Sequence, residues 1–259
     1  MIGVFDSGVG GLSVLTEIRR ELPAADLLYL ADQGRAPYGV HSLEEVAEMA
    51  GEVSHWLLER GASTIVIACN TASAAALHQL RARHPDVPFV GMEPAVKPAA
   101  LSTSTGVIGV VATAATFQGE LFSSVVQRHA VGATVLTRAC PRWVELVESG
   151  EVEGPGARSE VENCLRPLME GGADTLVLGC THFPYLVPLI EEVAGPGLRI
   201  VDPAPAVARQ VGRVSRSREG SGTLLLATSG DPATFSQVAK DLAGVEADRP
   251  VLACSWNDG

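Results

Sequence analysis

The sequence has 259 residues and is poor in lysine, in net positive charge and in long apolar runs. Its only lysines are Lys97 and Lys240, and neither lies in a Gly- and Ser-rich phosphate-binding context. A pyridoxal phosphate enzyme needs a Schiff-base lysine, so we expect any chemistry here to need no cofactor. The net charge of −11 also argues against nucleic-acid binding through a basic patch.

No apolar segment is long enough to cross a bilayer. The longest run of small and apolar residues covers positions 106–115 and contains Thr113. Residues 1–6 show neither the basic region nor the apolar core of a signal peptide. We therefore expect a cytoplasmic protein with no membrane segment.

The five cysteines, at positions 69, 140, 164, 180 and 254, are widely spaced and form no CxxC pair. An odd number in this pattern disfavours structural disulfides and a zinc ribbon. Two of the cysteines lie in related segments, residues 61–71 (GASTIVIACNT) and 172–182 (GADTLVLGCTH). Each segment is typical of a short buried strand that turns polar at its cysteine. Two equivalent thiols facing one substrate would suit moving a proton from one face of a carbon atom to the other.

Apolar runs alternate with helical patterns along the chain, which predicts parallel sheets with right-handed crossovers. The predicted strands are residues 2–5, 27–30, 64–68, 89–91, 106–111, 134–137, 175–178, 199–201 and 224–227. Because the order of elements repeats, we predict an α/β fold of two pseudo-symmetric three-layer αβα domains, with mainly parallel sheets and a site in the cleft between them. Residues 1–97 and 207–259 would form a discontinuous domain carrying Cys69, and residues 98–206 a domain carrying Cys180.

Two turns follow predicted strands, at the sheet edge where parallel sheets collect functional groups. The first, residues 6–11 (DSGVGG), fails the dinucleotide fingerprint because Ser13 stands in place of its last glycine. It could cradle an anion, present Asp6 as a base or orienting carboxylate, or be only a tight turn capped by Asp6. The second, Pro37-Tyr38-Gly39, is an ordinary turn unless its tyrosine and backbone N–H groups bind a carboxylate.

Cys69 and Cys180 each lie at a predicted strand end and helix start, a position expected to lower the pKa of a thiol. A lone cysteine is usually a buried apolar residue, but its repetition here favours a function. His182 could assist Cys180, or could cap a helix or fill the core. The nearby donors are uncharged and suit carboxylate and ammonium recognition: Ser7, Tyr38, Asn70, Thr71, Thr113, Thr116 and Thr181.

Glu148 ends a segment, residues 143–148, in which apolar residues are spaced among acidic ones. A surface helix explains this pattern adequately, and a glutamate reaching the site is the less favoured interpretation. A zinc site built from Cys69, Cys180 and His182 is disfavoured because Cys-Thr-His is not a common ligand spacing, so we expect no metal.

Four strings of the sequence resemble the glutamate racemase family. They are FDSGVGGLS at 5–13, PYG at 37–39, ACNTAS at 68–73 and GCTHFP at 179–184. The resemblance spans almost the whole chain, and the two cysteine strings carry most of its specificity. It implies a cofactor-independent enzyme that interconverts L- and D-glutamate and supplies D-glutamate for bacterial peptidoglycan. It also implies two domains that close over the substrate, and a homodimer.

Carried onto matching positions, the resemblance implies that Cys69 acts on the Cα proton of D-glutamate and Cys180 on that of L-glutamate. Asp6 would support Cys69, and His182 would support Cys180. The residues implied for substrate binding are Asp6, Ser7, Tyr38, Gly39, Asn70, Thr71, Thr181 and His182, with Pro37, Thr113, Thr116 and Glu148 as further candidates. Aspartate-type relatives usually carry an acidic residue where His182 stands, which favours glutamate as the substrate.

Two alternatives stay open. A related enzyme could act on aspartate or on another dicarboxylate, as a racemase, a decarboxylase or an isomerase. A protein of this fold could also bind an amino acid without catalysis. Such a protein would bind glutamate without any entry of solvent deuterium at Cα.

Overall fold

The computed structural model describes residues 1–216 and 219–256, in which ten strands form two parallel sheets. The strands are β1 (Ile2–Asp6), β2 (Leu27–Ala31), β3 (Thr64–Ile67), β4 (Phe89–Gly91), β5 (Val107–Ala112), β6 (Thr134–Ala139), β7 (Thr175–Gly179), β8 (Arg199–Val201), β9 (Leu224–Thr228) and β10 (Leu252–Ala253). The first sheet has the order β10-β9-β2-β1-β3-β4, and the second has the order β6-β5-β7-β8. Every pairing is parallel, so within each sheet the strand carboxyl ends lie at one edge.

The helices lie in the crossovers between these strands. They are α1 (Leu12–Glu21), α2 (Leu43–Glu59), α3 (Asn70–Arg83), α4 (Val96–Ser102), α5 (Ala114–Gln118), α6 (Glu120–His129), α7 (Pro141–Glu148), α8 (Gly154–Glu170), α9 (Val187–Ala194), α10 (Ala204–Val214) and α11 (Pro232–Ala243). Helix α2 begins with a capping box, in which Ser42 and Glu45 are bonded reciprocally. Within residues 1–216 and 219–256, no helix combines the length and the apolar character needed to cross a membrane.

Each sheet is covered by helices on both faces, because successive side chains of a strand point to opposite sides. In β2, Leu28 and Leu30 pack with α2 and α3, whereas Leu27 and Tyr29 pack with α1, α10 and α11. Against the second sheet, α4 and α6 pack on one face, and α7, α8 and α9 pack on the other. The apolar core under α1 and α10 is continuous with the core under α7 to α9.

The predicted fold class, two α/β units with parallel sheets, is therefore confirmed. The short strand β10 was not predicted, since residues 252–253 offer no run of apolar residues long enough to stand out. Strands β9 and β10 extend the first sheet beside β2. The domain boundaries stay a prediction: the one after residue 206 falls inside α10, and residues 217–218 and 257–259 lie outside the described part of the chain.

Candidate active site

The carboxyl ends of the two sheets enclose a cavity of about 120 Å³. Eleven of the predicted site residues line it: Ser7, Pro37, Tyr38, Gly39, Cys69, Asn70, Thr71, Thr113, Cys180, Thr181 and His182. Three predicted residues, Asp6, Thr116 and Glu148, lie behind this wall and contact the lining residues. The two cysteines that the internal repeat singles out thus face one enclosed space, one from each sheet.

Cys69 ends the loop after β3 and caps α3, with Sγ accepting the backbone N–H of Ala72 at 3.5 Å. Only 5% of the residue is exposed. Burial raises the pKa of the Cys69 thiol well above its ordinary value, and the charge of Asp6 adds to this effect. The expectation that a helix start lowers the pKa of this thiol is therefore wrong, because burial and the adjacent carboxylate outweigh the Ala72 N–H. Cys69 holds its proton in this site.

Cys180 follows β7 directly and has a different environment. Its Sγ lies 3.6 Å from Nδ1 of His182, whose Nε2 lies 2.6 Å from Oε1 of Glu148. Burial lowers the pKa of His182, but contact with Cys180 and the hydrogen bond to Glu148 outweigh it, so the pKa lies well above its ordinary value. A positively charged imidazolium is thus held between a carboxylate and the sulfur of Cys180, where it attracts negative charge on that sulfur.

Glu148 reaches the site from the end of α7, the interpretation that the sequence favours less. Its Oε1 also accepts the backbone N–H of Val9 at 2.8 Å, and Oε2 accepts Nε2 of Gln33 at 3.2 Å. Burial acts to raise the pKa of Glu148, but the bonds from His182, Val9 and Gln33 keep it below its ordinary value. Glu148 is therefore ionised, and it connects the second sheet's half of the site to the first.

The glycine-rich turn after β1 is shaped around this contact. A Cβ added at Gly8 would lie 1.8 Å from Oε1 of Glu148, and one at Gly10 would lie 2.3 Å from Nδ1 of His182. The anion cradled by the turn is therefore the carboxylate of Glu148, which the sequence pattern alone does not reveal. The glycines are needed because side chains of the other half of the molecule approach the backbone closely.

Asp6 holds the same turn from behind the cavity, although the cap residue of α1 is Gly11 and not Asp6. Its Oδ2 accepts the N–H of Gly11 at 2.8 Å, and the Thr181 hydroxyl lies 3.4 Å from Oδ1. The charge of this carboxylate also acts on the thiol of Cys69. Burial raises the pKa of Asp6 above its ordinary value, although the charge of His182 and the Gly11 N–H act in the opposite direction.

The polar side chains of the cavity wall fall into two groups: some have no hydrogen-bond partner among the described residues, and others hydrogen-bond across the cleft. Asn70 is 3% exposed, and neither its Oδ1 nor its Nδ2 has a hydrogen-bond partner among residues 1–216 and 219–256. The hydroxyls of Thr71, Thr113 and Thr116 lie 2.9–3.4 Å apart and join α3 to α5. The hydroxyl of Tyr38, in contrast, is donated to Asp32.

Six further lining residues are not among the site residues predicted from the sequence: Val40, Ala114, Ala139, Pro141, Val144 and Glu145. Most are apolar residues of loops and helix starts, which resemble ordinary core or surface positions until the two halves are placed together. Among the described residues, no group of three or more His, Cys, Asp and Glu side chains is arranged to hold a metal ion.

Comparison with known proteins gives a consistent picture. The family model Asp/Glu/Hydantoin racemase matches residues 2–211. A glutamate racemase of a Roseiflexus species is 49% identical over 244 residues, which are 92% of this chain and 90% of that protein. A glutamate racemase of Pseudomonas aeruginosa is 49% identical over 217 residues, 84% of this chain and 82% of that protein.

Solved structures of similar proteins have the same fold. Glutamate racemase isoform RacE1 of Bacillus anthracis superimposes with a TM-score of 0.88 at 31% identity, over 99% of this chain and 97% of that one. The Escherichia coli glutamate racemase, solved with L-glutamate and an activator, gives a TM-score of 0.86 at 31% identity, over 97% and 96% of the two chains.

Proposed function

Since the chain belongs to the Asp/Glu/Hydantoin racemase family and is an isomerase, we propose that it interconverts L- and D-glutamate by proton transfer between two thiols. It would do so without a cofactor, as a cytoplasmic homodimer that supplies D-glutamate for peptidoglycan synthesis. The observation that carries the proposal is the pair of repeat-related cysteines, Cys69 and Cys180, on the wall of one cavity.

In the L to D direction, the thiolate of Cys180 removes the Cα proton of L-glutamate and becomes a thiol. The thiol of Cys69 then donates its proton to the opposite face of Cα, which gives D-glutamate and leaves Cys69 as a thiolate. In the reverse direction, Cys69 is the base and Cys180 the acid. The high pKa of the Cys69 thiol and the imidazolium beside Cys180 suit the starting state of the first direction.

A Cα proton is much less acidic than a thiol, so the negative charge that develops on the substrate must be stabilised. The amide of Asn70 and the hydroxyls of Ser7, Thr71 and Thr181 line the cavity and can bind the carboxylate and ammonium groups of glutamate. A buried polar group without a partner costs about 1–3 kcal/mol, and bound glutamate would remove this cost at Asn70. Enclosure by the two halves excludes water and strengthens these bonds.

The groups behind the cavity support the thiols. Asp6 holds the glycine-rich turn, and its negative charge disfavours loss of the Cys69 proton. His182 stabilises negative charge on Cys180, and Glu148 holds the imidazolium in its charged form. The roles of Asp6 and His182 are those that the family resemblance implies, whereas the role of Glu148 is proposed from its hydrogen bond to His182.

We expect glutamate to be racemised about 10–200-fold faster than aspartate, because a site shaped for one more methylene discriminates by about this factor. Polarimetry of L-glutamate and L-aspartate, with purified protein and no added cofactor, measures both rates. Faster loss of rotation with aspartate would favour the aspartate racemase alternative. Glutamate binding without any loss of rotation would favour the non-catalytic alternative.

A further inference from the structure

Asp32 lies immediately after β2 and is fully buried, and its carboxylate gathers donors from three separate parts of the chain. Oδ2 accepts Nε of Arg35 at 2.8 Å and the hydroxyl of Tyr38. Oδ1 accepts the hydroxyl of Ser229 at 2.6 Å and Nε1 of Trp256 at 2.8 Å. The loops after β2, β9 and β10 therefore converge on one carboxylate.

Trp256 makes two contacts in this cluster. Its indole N–H is donated to Asp32, and its ring lies under the guanidinium of Arg35, 4.1 Å from ring centroid to Cζ. Arg35 also forms an ion pair with Glu52 of α2. Trp256 thus contacts the segment after β2 from outside the cavity and stabilises it through Asp32 and Arg35.

The segment after β2 forms one wall of the active-site cavity through Pro37, Tyr38, Gly39 and Val40. The only hydrogen bond recorded for the Tyr38 hydroxyl within the described residues is the one to Asp32. The place of Tyr38 in the wall therefore depends on how firmly Asp32 is held. The two cysteines follow β3 and β7, and neither is bonded to this cluster.

We infer that Trp256 is a positioning residue for substrate binding, which acts through Asp32 to fix the wall formed by residues 37–40. The inference rests on the proposed racemase function. A wall that is fixed in advance spares the substrate the cost of ordering it, so its effect falls on binding rather than on proton transfer.

Trp256→Phe tests this inference because it removes the N–H donor and keeps an aromatic ring for Arg35. We expect KM for both enantiomers to rise about ten-fold while kcat stays within about two-fold. Since the enantiomers have equal free energies, kcat/KM must fall by the same factor in both directions. A residue of purely structural importance would lower the melting temperature and leave KM unchanged.

The matched control is Trp56→Phe, on α2. Trp56 also carries an arginine over its ring, with Cζ of Arg60 at 3.6 Å from the centroid, and it does not line the cavity. This variant should keep the KM of the parent protein. An equal rise of KM in both variants would overturn the inference.

A double-mutant cycle with Tyr38→Phe shows whether the effect passes through the Tyr38–Asp32 bond. In the Tyr38→Phe background, Trp256→Phe should raise KM by less than about two-fold, because the connection is already broken. Fully additive effects would contradict the inference. If Trp256→Phe does not fold, Ser229→Ala is tested instead, because it removes the other donor to Oδ1 of Asp32. It should likewise raise KM about ten-fold and leave kcat within about two-fold.

Binding measured without turnover separates this inference from the proposed function. In the Cys69→Ser background, the calorimetric Kd for glutamate should rise about ten-fold on Trp256→Phe. An unchanged Kd would overturn the inference and leave the racemase proposal standing. Glutamate that binds the parent protein but keeps its Cα proton in D2O would overturn the racemase proposal alone, and no binding at all would overturn both.

Discussion

We expect Cys69→Ser and Cys180→Ser each to lower kcat/KM for glutamate racemisation by about 10³-fold in both directions. General acid and base catalysis contributes about 10²–10⁴-fold, and a serine hydroxyl is too weak an acid to replace a thiol in either role. Neither substitution changes the size of the residue much at a position that is 5% or 8% exposed. The assay is polarimetry starting from each enantiomer.

Cys164→Ser is the matched control. Cys164 is buried in α8 and lies outside the cavity lining. We expect its kcat/KM to stay within about three-fold of the parent value, since a buried side chain remote from the reacting atoms affects stability first. Comparable losses for all three variants would mean that Cys69 and Cys180 are not the catalytic pair.

Gly10→Ala should lower kcat about 10²-fold while the protein remains folded. The added Cβ would lie 2.3–2.7 Å from three atoms of the His182 ring, which is 2% exposed and is held by Glu148. The ring must move away from Cys180, and displacement of a catalytic group by about 1 Å costs about 10²-fold. Steady-state kinetics with circular dichroism of the same sample measures both activity and folding.

The control for this substitution is Gly156→Ala, at an exposed position of α8 where an added Cβ meets no atom of the described residues within 4 Å. It should keep full activity and unfold at the same or a slightly higher temperature, because alanine favours a helix over glycine. Full activity in Gly10→Ala would show that the contact between the turn and His182 is not needed for catalysis.

The main features of the site could be predicted from the sequence because they are local. A strand that ends in cysteine is visible in ten residues, and its repetition singles out Cys69 and Cys180. The parallel sheets follow from the alternation of apolar runs and helical patterns, and their carboxyl edges place the predicted loops on one cavity.

Features that depend on distant contacts could not be predicted. Glu148 resembles any glutamate of a surface helix until α7 is placed against the turn at Val9. Trp256 and Asp32 are 224 residues apart in the chain and meet only because β10 joins the first sheet. The pKa of Cys69 was predicted in the wrong direction because the sequence shows a helix start but neither the burial nor the carboxylate beside it.

Proton NMR of L-glutamate racemised in D2O with no added cofactor, recorded with a chiral shift reagent that separates the signals of the two enantiomers, tests the two-thiol mechanism most directly. Thiols exchange with solvent, so Cys69 should deliver deuterium to the opposite face of Cα. The account predicts that the first D-glutamate formed carries one deuteron at Cα, while unreacted L-glutamate still carries its proton. D-glutamate that retains the substrate proton would indicate a single base acting on both faces, and a retained Cα proton with unchanged optical rotation would contradict racemisation itself.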